Sequence, residues 1–303
     1  MRGGSSWSGR LGYEKGPPGR RLCILAALVE MACFLAWPRE ERGYGLFRWD
    51  DTLLEEGALQ DLEAGIREAE VTELYQVFPE DLLASGQAGL FLQRMGKSNV
   101  TVFALVGEAE WALDPEAGAL LQKLEEIAAY NAGQKEANWI AGVMVDVEPH
   151  TLDAWEAGGE ARRALMESYL SGLRAAYAFA RSHSLTLWVC VPNYYDTACP
   201  QVLEALVSGA CDGVAVMNYD RRDEYGQMAA EVALAERYGK GVRCIYELQE
   251  PGQHGLEEIH TYAGAGLEAL WQSAEELEAA FGYEGLGFAY HYDEPLRELL
   301  AEL

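Results

Sequence analysis

The sequence is poor in basic residues. Its 303 residues include 23 Lys and Arg against 49 Asp and Glu, which gives a formal net charge of -26 at pH 7. Affinity for nucleic acids rests largely on Lys and Arg side chains that neutralise phosphates, so no nucleic-acid partner is expected. The same charge disfavours anionic membrane surfaces, whereas a neutral partner such as a carbohydrate is indifferent to it.

Cysteine and histidine are also few, with six and five copies. No cysteine pair has the spacing of a zinc site and the histidines are scattered, so neither a bound metal nor another cofactor is expected. Cys190, Cys211 and Cys244 lie in or beside apolar segments, where a free thiol usually packs as a small hydrophobic group. The cysteines therefore leave the cellular compartment open.

The first 42 residues contain an apolar run that is short for a membrane span. It extends from Leu22 to Trp37, 16 residues against the ~20 that a bilayer requires, and it follows a basic segment rich in Gly, Ser and Pro. Residues 1–42 therefore resemble a leader, either a signal peptide or an anchor. The alternatives are a helix packed on the rest of the chain or a misplaced start codon. With an export signal the protein is secreted or lies at the cell surface; without one it is cytoplasmic.

From Gly43 onward, strand-like runs alternate with segments of helical period. Eight apolar or β-branched runs lie at 45–49, 71–78, 100–107, 140–148, 185–191, 213–219, 243–248 and 285–290. Such alternation predicts a parallel sheet, and eight units in about 260 residues predict one closed (β/α)8 barrel, a TIM barrel, over residues 43–303. An open doubly wound sheet is the alternative, but no glycine-rich phosphate loop follows the first run.

Two helix starts are predicted from local motifs. Asp114-Pro115 has the pattern of a cap followed by a first-turn proline, ahead of a periodic apolar segment. Ser273 and Glu276 have the spacing of a capping box, which predicts a helix start ahead of the last strand.

Polar residues collect at the ends of the strand-like runs. They are Asp50, Asp51, Gln76, Glu108, Asp146, Glu148, Asn193, Asp196, Asn218, Asp220, Glu247, Glu250 and His291. The carboxyl ends of the strands carry the active sites of (β/α)8 barrels, so these positions predict a polar cleft at that end.

The stretch GVMVDVEPH, from Gly142 to His150, ends a core strand in two acids. Side chains alternate along a strand, so Met144, Asp146 and Glu148 share one face, with about 6.6 Å of backbone between the two acids. Repulsion between such close acids raises the proton affinity of one of them. A general acid is kept protonated near neutral pH in this way. The alternative is that these acids cap loops or pair with arginines.

Two of these runs resemble a known family. VMVDVEP is similar to the fourth-strand signature D-x-x-D-x-D-x-E of the chitinase-like family 18 glycoside hydrolases, of which Asp146 and Glu148 are the final D-x-E. MNYD, from Met217 to Asp220, resembles that family's sixth-strand M-x-Y-D and falls on the sixth run counted above. Two such motifs in the right order on the right strands are more specific than either alone.

The resemblance implies a glycoside hydrolase that acts on an N-acetylated glycan by a substrate-assisted, retaining mechanism. Glu148 would protonate the leaving oxygen, Asp146 would orient the acetamido group, and Tyr219 would hydrogen-bond the acetamido oxygen. The chain departs from the family at Ala141 and Met144, where the signature has its first two aspartates. It also departs on the eighth strand, where Tyr290 or His291 replaces a tryptophan. The sugar stays open among chitin-like, peptidoglycan and N-glycan fragments.

Two other functions fit the same residues. Retaining glycosidases of the 4/7 type carry an acid/base glutamate on strand four and a nucleophilic glutamate on strand seven, where Glu148 and Glu247 lie. A barrel that binds glycans without cutting them is the second alternative. Aromatic side chains near the strand ends can stack on sugar rings in any of these cases.

The candidates for contact with a carbohydrate are taken from the same strand ends. They are Trp49, Asp50, Gln76, Asn193, Tyr194, Met217, Asn218, Asp220, Glu247, Tyr290 and His291.

Overall fold

The computed structural model describes residues 43–53 and 55–303, so the predicted leader at 1–42 lies outside the described residues. The described chain alternates strands with helices. The strands are β1 Tyr44–Arg48, β2 Val71–Gln76, β3 Thr101–Val106, β4 Gly142–Val145, β5 Thr186–Pro192, β6 Gly213–Met217, β7 Gly241–Glu247 and β8 Leu286–His291. The α-helices are α1 Glu56–Glu68, α2 Glu80–Ala84, α3 Ala88–Lys97, α4 Gly118–Ala132, α5 Asp153–Glu156, α6 Gly159–Ser182, α7 Tyr195–Ala198, α8 Pro200–Gly209, α9 Glu224–Tyr238, α10 Gly266–Phe281 and α11 Asp293–Leu300. Short 3-10 helices lie at Ala109–Leu113, Glu136–Asn138, Pro149–Thr151 and Glu258–His260.

The eight strands form one closed parallel barrel in sequence order. The barrel closes where β1 pairs with β8, with Gly45 opposite Ala289 and Leu46 opposite Tyr290. Every apolar run predicted as a strand overlaps one of these strands, which confirms the predicted (β/α)8 fold. The open-sheet alternative is wrong. Among the described helices, none is both long and apolar enough to cross a membrane.

The pleat of the strands divides the core into two layers. Alternate residues pack outward against the helices, while the others fill the barrel with bulky groups such as Phe47, Phe103 and Trp188. Glycines make room for Trp188, since a Cβ at Gly213 or Gly241 would lie 2.3 or 2.2 Å from its indole ring. The interior is therefore filled by side chains and is not a pore.

An ion pair fills the barrel toward the N-terminal ends of the strands. Arg243 on β7 contacts both carboxylate oxygens of Glu73 on β2, at 2.7 and 3.0 Å, and its guanidinium lies 4.5 Å from the Trp188 ring centroid. Tyr75 donates a third hydrogen bond to Glu73 at 2.6 Å. Burial opposes ionisation of Glu73, but the Arg243 charge and these hydrogen bonds hold its pKa below the usual value.

Both helix starts predicted from local motifs are wrong. Asp114 accepts hydrogen bonds from the N–H groups of Glu116 and Gly118, so it closes a turn ahead of α4, which begins at Gly118. Ser273 lies in the middle of α10, where its hydroxyl bonds to Glu224 and Tyr246. Ser273 therefore makes tertiary hydrogen bonds from the middle of the helix and does not cap it.

Candidate functional site

A cavity of about 280 Å³ lies at the carboxyl ends of the strands. Its walls come from β1, β4, β5, β6, β7 and β8 or the residues that directly follow them. The lining residues are Phe47, Trp49, Asp146, Glu148, Cys190, Met217, Tyr219, Ile245 and His291. The cavity therefore combines aromatic and apolar walls with two carboxyl groups and one imidazole.

Asp146 and Glu148 continue the line of β4 beyond its last residue. The Asp146 N–H donates to the Val106 carbonyl at 2.8 Å, which extends the ladder of β3 and β4 by one hydrogen bond. The Glu148 carbonyl accepts from the backbone N–H and hydroxyl of Thr151, at 3.1 and 2.9 Å, and so begins the 3-10 helix at Pro149. Both acids face the cavity, as the alternation of side chains predicts.

Burial shifts both carboxyl groups toward their protonated forms, and the Asp146 charge adds to the shift at Glu148. Burial, with a further contribution from the Asp146 charge, raises the pKa of Glu148 to about 7, although the nearby His291 lowers it. Burial also raises the pKa of Asp146, against the effects of His291 and the Cys190 thiol. Within the described part of the chain, the buried Oδ1 of Asp146 has no hydrogen-bond partner. The pair can therefore supply a proton near neutral pH and accept a hydrogen bond.

Tyr219, which follows β6, presents a phenol to the same cavity. Burial, followed by the charges of Glu247 and Asp146, raises its pKa well above 10. Its hydroxyl therefore remains a protonated hydrogen-bond donor across the physiological pH range.

Glu247, at the end of β7, bonds to His291 instead of lining the cavity. Its Oε2 lies 2.9 Å from Nδ1 of His291. Its Oε1 accepts from the N–H groups of Leu248 and Gln249, both at 2.9 Å, and from the Gln249 side chain at 3.2 Å. Burial opposes the charge, but the His291 and Gln249 hydrogen bonds hold the pKa of Glu247 below its usual value.

Three of the predicted contact residues point away from the cavity because they occupy the outward positions of their strands. Gln76 is buried and bonds to Arg48 and to two backbone carbonyls. Asn218 donates to the Cys244 thiol at 3.2 Å. The hydroxyl of Tyr290 accepts from Trp271 at 2.8 Å and donates to the Ala69 carbonyl at 3.2 Å. Their predicted role in contacting a carbohydrate therefore has no support in this geometry.

Three further predicted residues bond to their neighbours outside the cavity lining. Asp50 pairs with Arg48 at 2.7 Å, and Asn193 bonds to the side chain of Gln227. Asp220 accepts from Arg222, which lowers its pKa to about 2. Of the predicted set, Trp49, Met217 and His291 line the cavity together with Asp146, Glu148 and Tyr219.

His150 is a neighbour of Glu148 that was not predicted as a site residue. Its Nε2 lies 3.6 Å from Glu148 Oε1, and its ring makes edge contacts with Trp155, Tyr194 and Tyr195. Burial lowers its pKa, which favours the neutral imidazole. The only signal in the sequence was its place two residues after Glu148. Tyr194, a predicted contact residue, packs on this histidine and is 39% exposed.

Most of the aromatic residues near the strand ends serve packing. Tyr195 is buried beside Trp155, and Tyr225 stacks on Phe281 with ring centroids 4.4 Å apart. Trp49, by contrast, lines the cavity and is 41% exposed, so it can offer a ring face to a ligand. Within 43–53 and 55–303, no group of three or more His, Cys, Asp or Glu side chains is arranged to hold a metal ion.

Comparison with solved structures finds the same fold in sugar-active enzymes. A candidate α-L-fucosidase from Bacteroides thetaiotaomicron has 11% identity and a TM-score of 0.57, with 88% of this chain and 92% of that chain covered. A GH18 chitinase from Pseudoalteromonas aurantia has 11% identity and a TM-score of 0.50, with 86% and 100% covered. A D-psicose 3-epimerase from Clostridium cellulolyticum has 12% identity and a TM-score of 0.50, with 82% and 85% covered.

Further chitinases occur among the solved structures with a similar barrel. No protein-family model matches the chain, and no curated protein matches its sequence. At these identities the likeness establishes the (β/α)8 fold, and the reaction has to be argued from the site.

Proposed function

We propose that the protein is a glycoside hydrolase that cleaves an N-acetylated glycan by a substrate-assisted, retaining mechanism. The observation that carries this proposal is Glu148, whose pKa is raised to about 7 in a cavity shared with Asp146 and Tyr219. A carboxylic acid with that pKa can donate a proton near neutral pH. The similarity of the D-x-E and M-x-Y-D motifs to those of the chitinase-like family supports the same reaction.

In the proposed reaction, the acetamido oxygen of the substrate attacks its own anomeric carbon. Glu148 gives its proton to the glycosidic oxygen as the bond to the leaving sugar breaks. Asp146 accepts a hydrogen bond from the acetamido N–H and stabilises the positive charge that develops on the cyclic intermediate, while the Tyr219 hydroxyl donates to the acetamido oxygen. Water then adds to the anomeric carbon as the bond from the acetamido oxygen to that carbon breaks, which restores the acetamido group, and the Glu148 carboxylate takes the proton of that water.

The environment of Glu247 does not favour the 4/7 mechanism, in which this side chain would be the nucleophile. A nucleophilic carboxylate must reach the anomeric carbon, with the two catalytic carboxyl groups about 5–5.5 Å apart. Glu247 is 3% exposed, and both of its oxygens accept hydrogen bonds from protein groups. Its geometry is that of a carboxylate that orients His291.

Substitution of Glu148 tests the proposal. Glu148→Gln keeps the shape of the side chain and removes the proton, so turnover of an N-acetylglucosamine oligomer should fall by a factor of about 10²–10⁴ while binding is largely retained. Glu250→Gln, at an exposed acid just after β7, is the matched control and should leave turnover unchanged. Equal turnover in the Glu148 and Glu250 variants would contradict the proposed acid.

A second comparison separates the mechanisms. Glu247→Gln should cost no more than about tenfold under substrate assistance, whereas a nucleophile would be as sensitive as Glu148. Glycosides that lack the acetamido group should not be cleaved under the proposed mechanism, because they lack its nucleophile. Binding of N-acetylated oligomers by the native chain without any release of sugar would instead identify a glycan-binding barrel.

A further inference from the structure

A carboxylate–imidazole pair lies at one side of the cavity, and its imidazole belongs to the lining. His291 ends β8 and lines the cavity, while Glu247 ends the neighbouring β7 and lies behind it, 3% exposed. Their bond, from Glu247 Oε2 to His291 Nδ1, is 2.9 Å long. The resemblance to the chitinase-like family implies a tryptophan on this strand, so neither residue has a role assigned by that resemblance.

The hydrogen bonds of Glu247 fix the imidazole in one tautomer. Its Oε1 accepts from Leu248 and Gln249, which leaves Oε2 as the acceptor for His291. A carboxylate acceptor requires the proton of the ring to be on Nδ1. The second ring nitrogen, Nε2, is then available to a ligand in the cavity.

The surroundings of His291 hold the ring in place and connect it to the catalytic acids. Phe47 packs edge-on at 5.8 Å between ring centroids, Tyr292 lies at 5.4 Å, and Tyr219 lies at 6.1 Å. The charged groups that face it are Glu247, bonded to it at 2.9 Å, and the carboxyl groups of Asp146 and Glu148, which line the same cavity. His291 therefore shares one space with the groups proposed to carry the reaction.

We infer that His291 contacts the substrate, with Nε2 bonded to a hydroxyl group of the sugar in the cavity, and that Glu247 is the positioning residue that fixes this imidazole. The inference rests on the proposed function. A polyhydroxylated ring suits the site because a sugar hydroxyl can donate to Nε2 of the neutral ring or accept from the protonated one. Glu247 acts only through His291 and makes no contact with the substrate.

A double-mutant cycle tests this dependence. Glu247→Gln should raise KM for an N-acetylglucosamine oligomer about tenfold and His291→Phe at least as much, because each removes or misdirects one hydrogen bond to substrate. In the His291→Phe background, Glu247→Gln should then cost nothing further. Losses that add in the double variant would overturn the inference, since Glu247 would then act independently of His291.

Chemical rescue distinguishes contact with substrate from support of the fold. In His291→Ala, free imidazole at tens of millimolar should restore part of the lost kcat/KM, because it can occupy the space of the missing ring. His291→Gln is a second variant in case the alanine variant loses structure, and it should retain more activity than His291→Phe. If imidazole restores nothing to His291→Ala and His291→Gln is no more active than His291→Phe, His291 does not bond to the substrate and the inference is wrong.

The effect of Glu247 on the His291 imidazole can be measured without any substrate. The chain has five histidines, so ¹⁵N NMR can assign the tautomer of His291 directly. We expect the Nδ1–H form in the native protein and a mixture of tautomers in Glu247→Gln. An unchanged tautomer in that variant would refute the positioning role. If no N-acetylated oligomer binds or is cleaved, the proposed function fails, and this measurement still decides whether Glu247 fixes the imidazole.

Discussion

At Glu148, burial and a neighbouring charge act in the same direction. The sequence could predict this pair because Asp146 and Glu148 are two residues apart on a strand, and the structure places both in one cavity. It could not predict how far each pKa moves, because His291 and Cys190, which oppose the shift, come from other strands. The D-x-E motif places the two acids next to each other, and residues of other strands make the remaining contributions to their pKa values.

The pH dependence of catalysis follows from this balance. The proposed acid is active when protonated, so kcat/KM should fall as the pH rises through about 7, the pKa of Glu148. Asp146→Asn removes a negative charge that favours the protonated form of Glu148. The residual activity of that variant should therefore decline at a lower pH than in the native protein. A pH–rate profile on a chromogenic N-acetylglucosaminide checks both statements, and an unshifted midpoint would contradict the coupling.

At the scale of single strands, the period of two decides which polar residues reach the cavity. Tyr219 and His291 face inward, so the preceding residues, Asn218 and Tyr290, face the helices. The sequence predicted every strand yet proposed both neighbours as contact residues, which the pleat does not allow. Strict use of the alternation would have excluded Tyr290. The 3-10 helix that brings His150 beside Glu148 has no such period, so that contact required the structure.

In the helix α9, a glutamate is buried without a partner. Glu231 is fully buried, neither carboxyl oxygen has a hydrogen-bond partner within the described residues, and burial raises its pKa to about 8. The folded state therefore holds a proton that the unfolded state releases near pH 4.5. Stability should fall as the pH rises from about 4.5 to about 8, by up to about 1.4 kcal/mol per pH unit.

Replacement of Glu231 should make the stability of the protein less dependent on pH. Glu231→Gln cannot ionise, so its free energy of unfolding should depend less on pH across that window than that of the native protein. Glu236→Gln, an exposed glutamate in the same helix, is the matched control and should keep the native slope. Urea denaturation at several pH values provides the measurement. Parallel slopes for the native protein and the Glu231 variant would show that Glu231 is not the group responsible.

For the whole molecule, the barrel could be predicted and its side-chain pairs could not. Eight alternating runs determine the closed sheet, because each strand pairs with the next along the chain. The pairs that complete the interior join distant positions: Glu247 meets His291, 44 residues away, and Glu73 meets Arg243, 170 residues away. No local pattern encodes such partners. The leader at 1–42 stays a prediction.

The Glu73–Arg243 pair tests how strongly these distant contacts hold the barrel. Both side chains are nearly buried, 13% and 12% exposed, so loss of one partner leaves an uncompensated charge. Arg243→Met should lower the free energy of unfolding by about 3–5 kcal/mol. Arg237→Met, which removes a partner of Glu204 from an exposed ion pair, should cost no more than about 1 kcal/mol.

A double variant separates the cost of an orphaned charge from the value of the pair. Glu73→Gln in the Arg243→Met background removes the unpaired carboxylate and should restore most of the lost stability, since a buried ion pair is worth little more than a neutral replacement. Urea denaturation of the four proteins gives the coupling energy between the two sites. If the double variant is less stable than Arg243→Met alone, Glu73 contributes through Tyr75 or its packing, and the ion pair is not what joins β2 to β7 across the barrel.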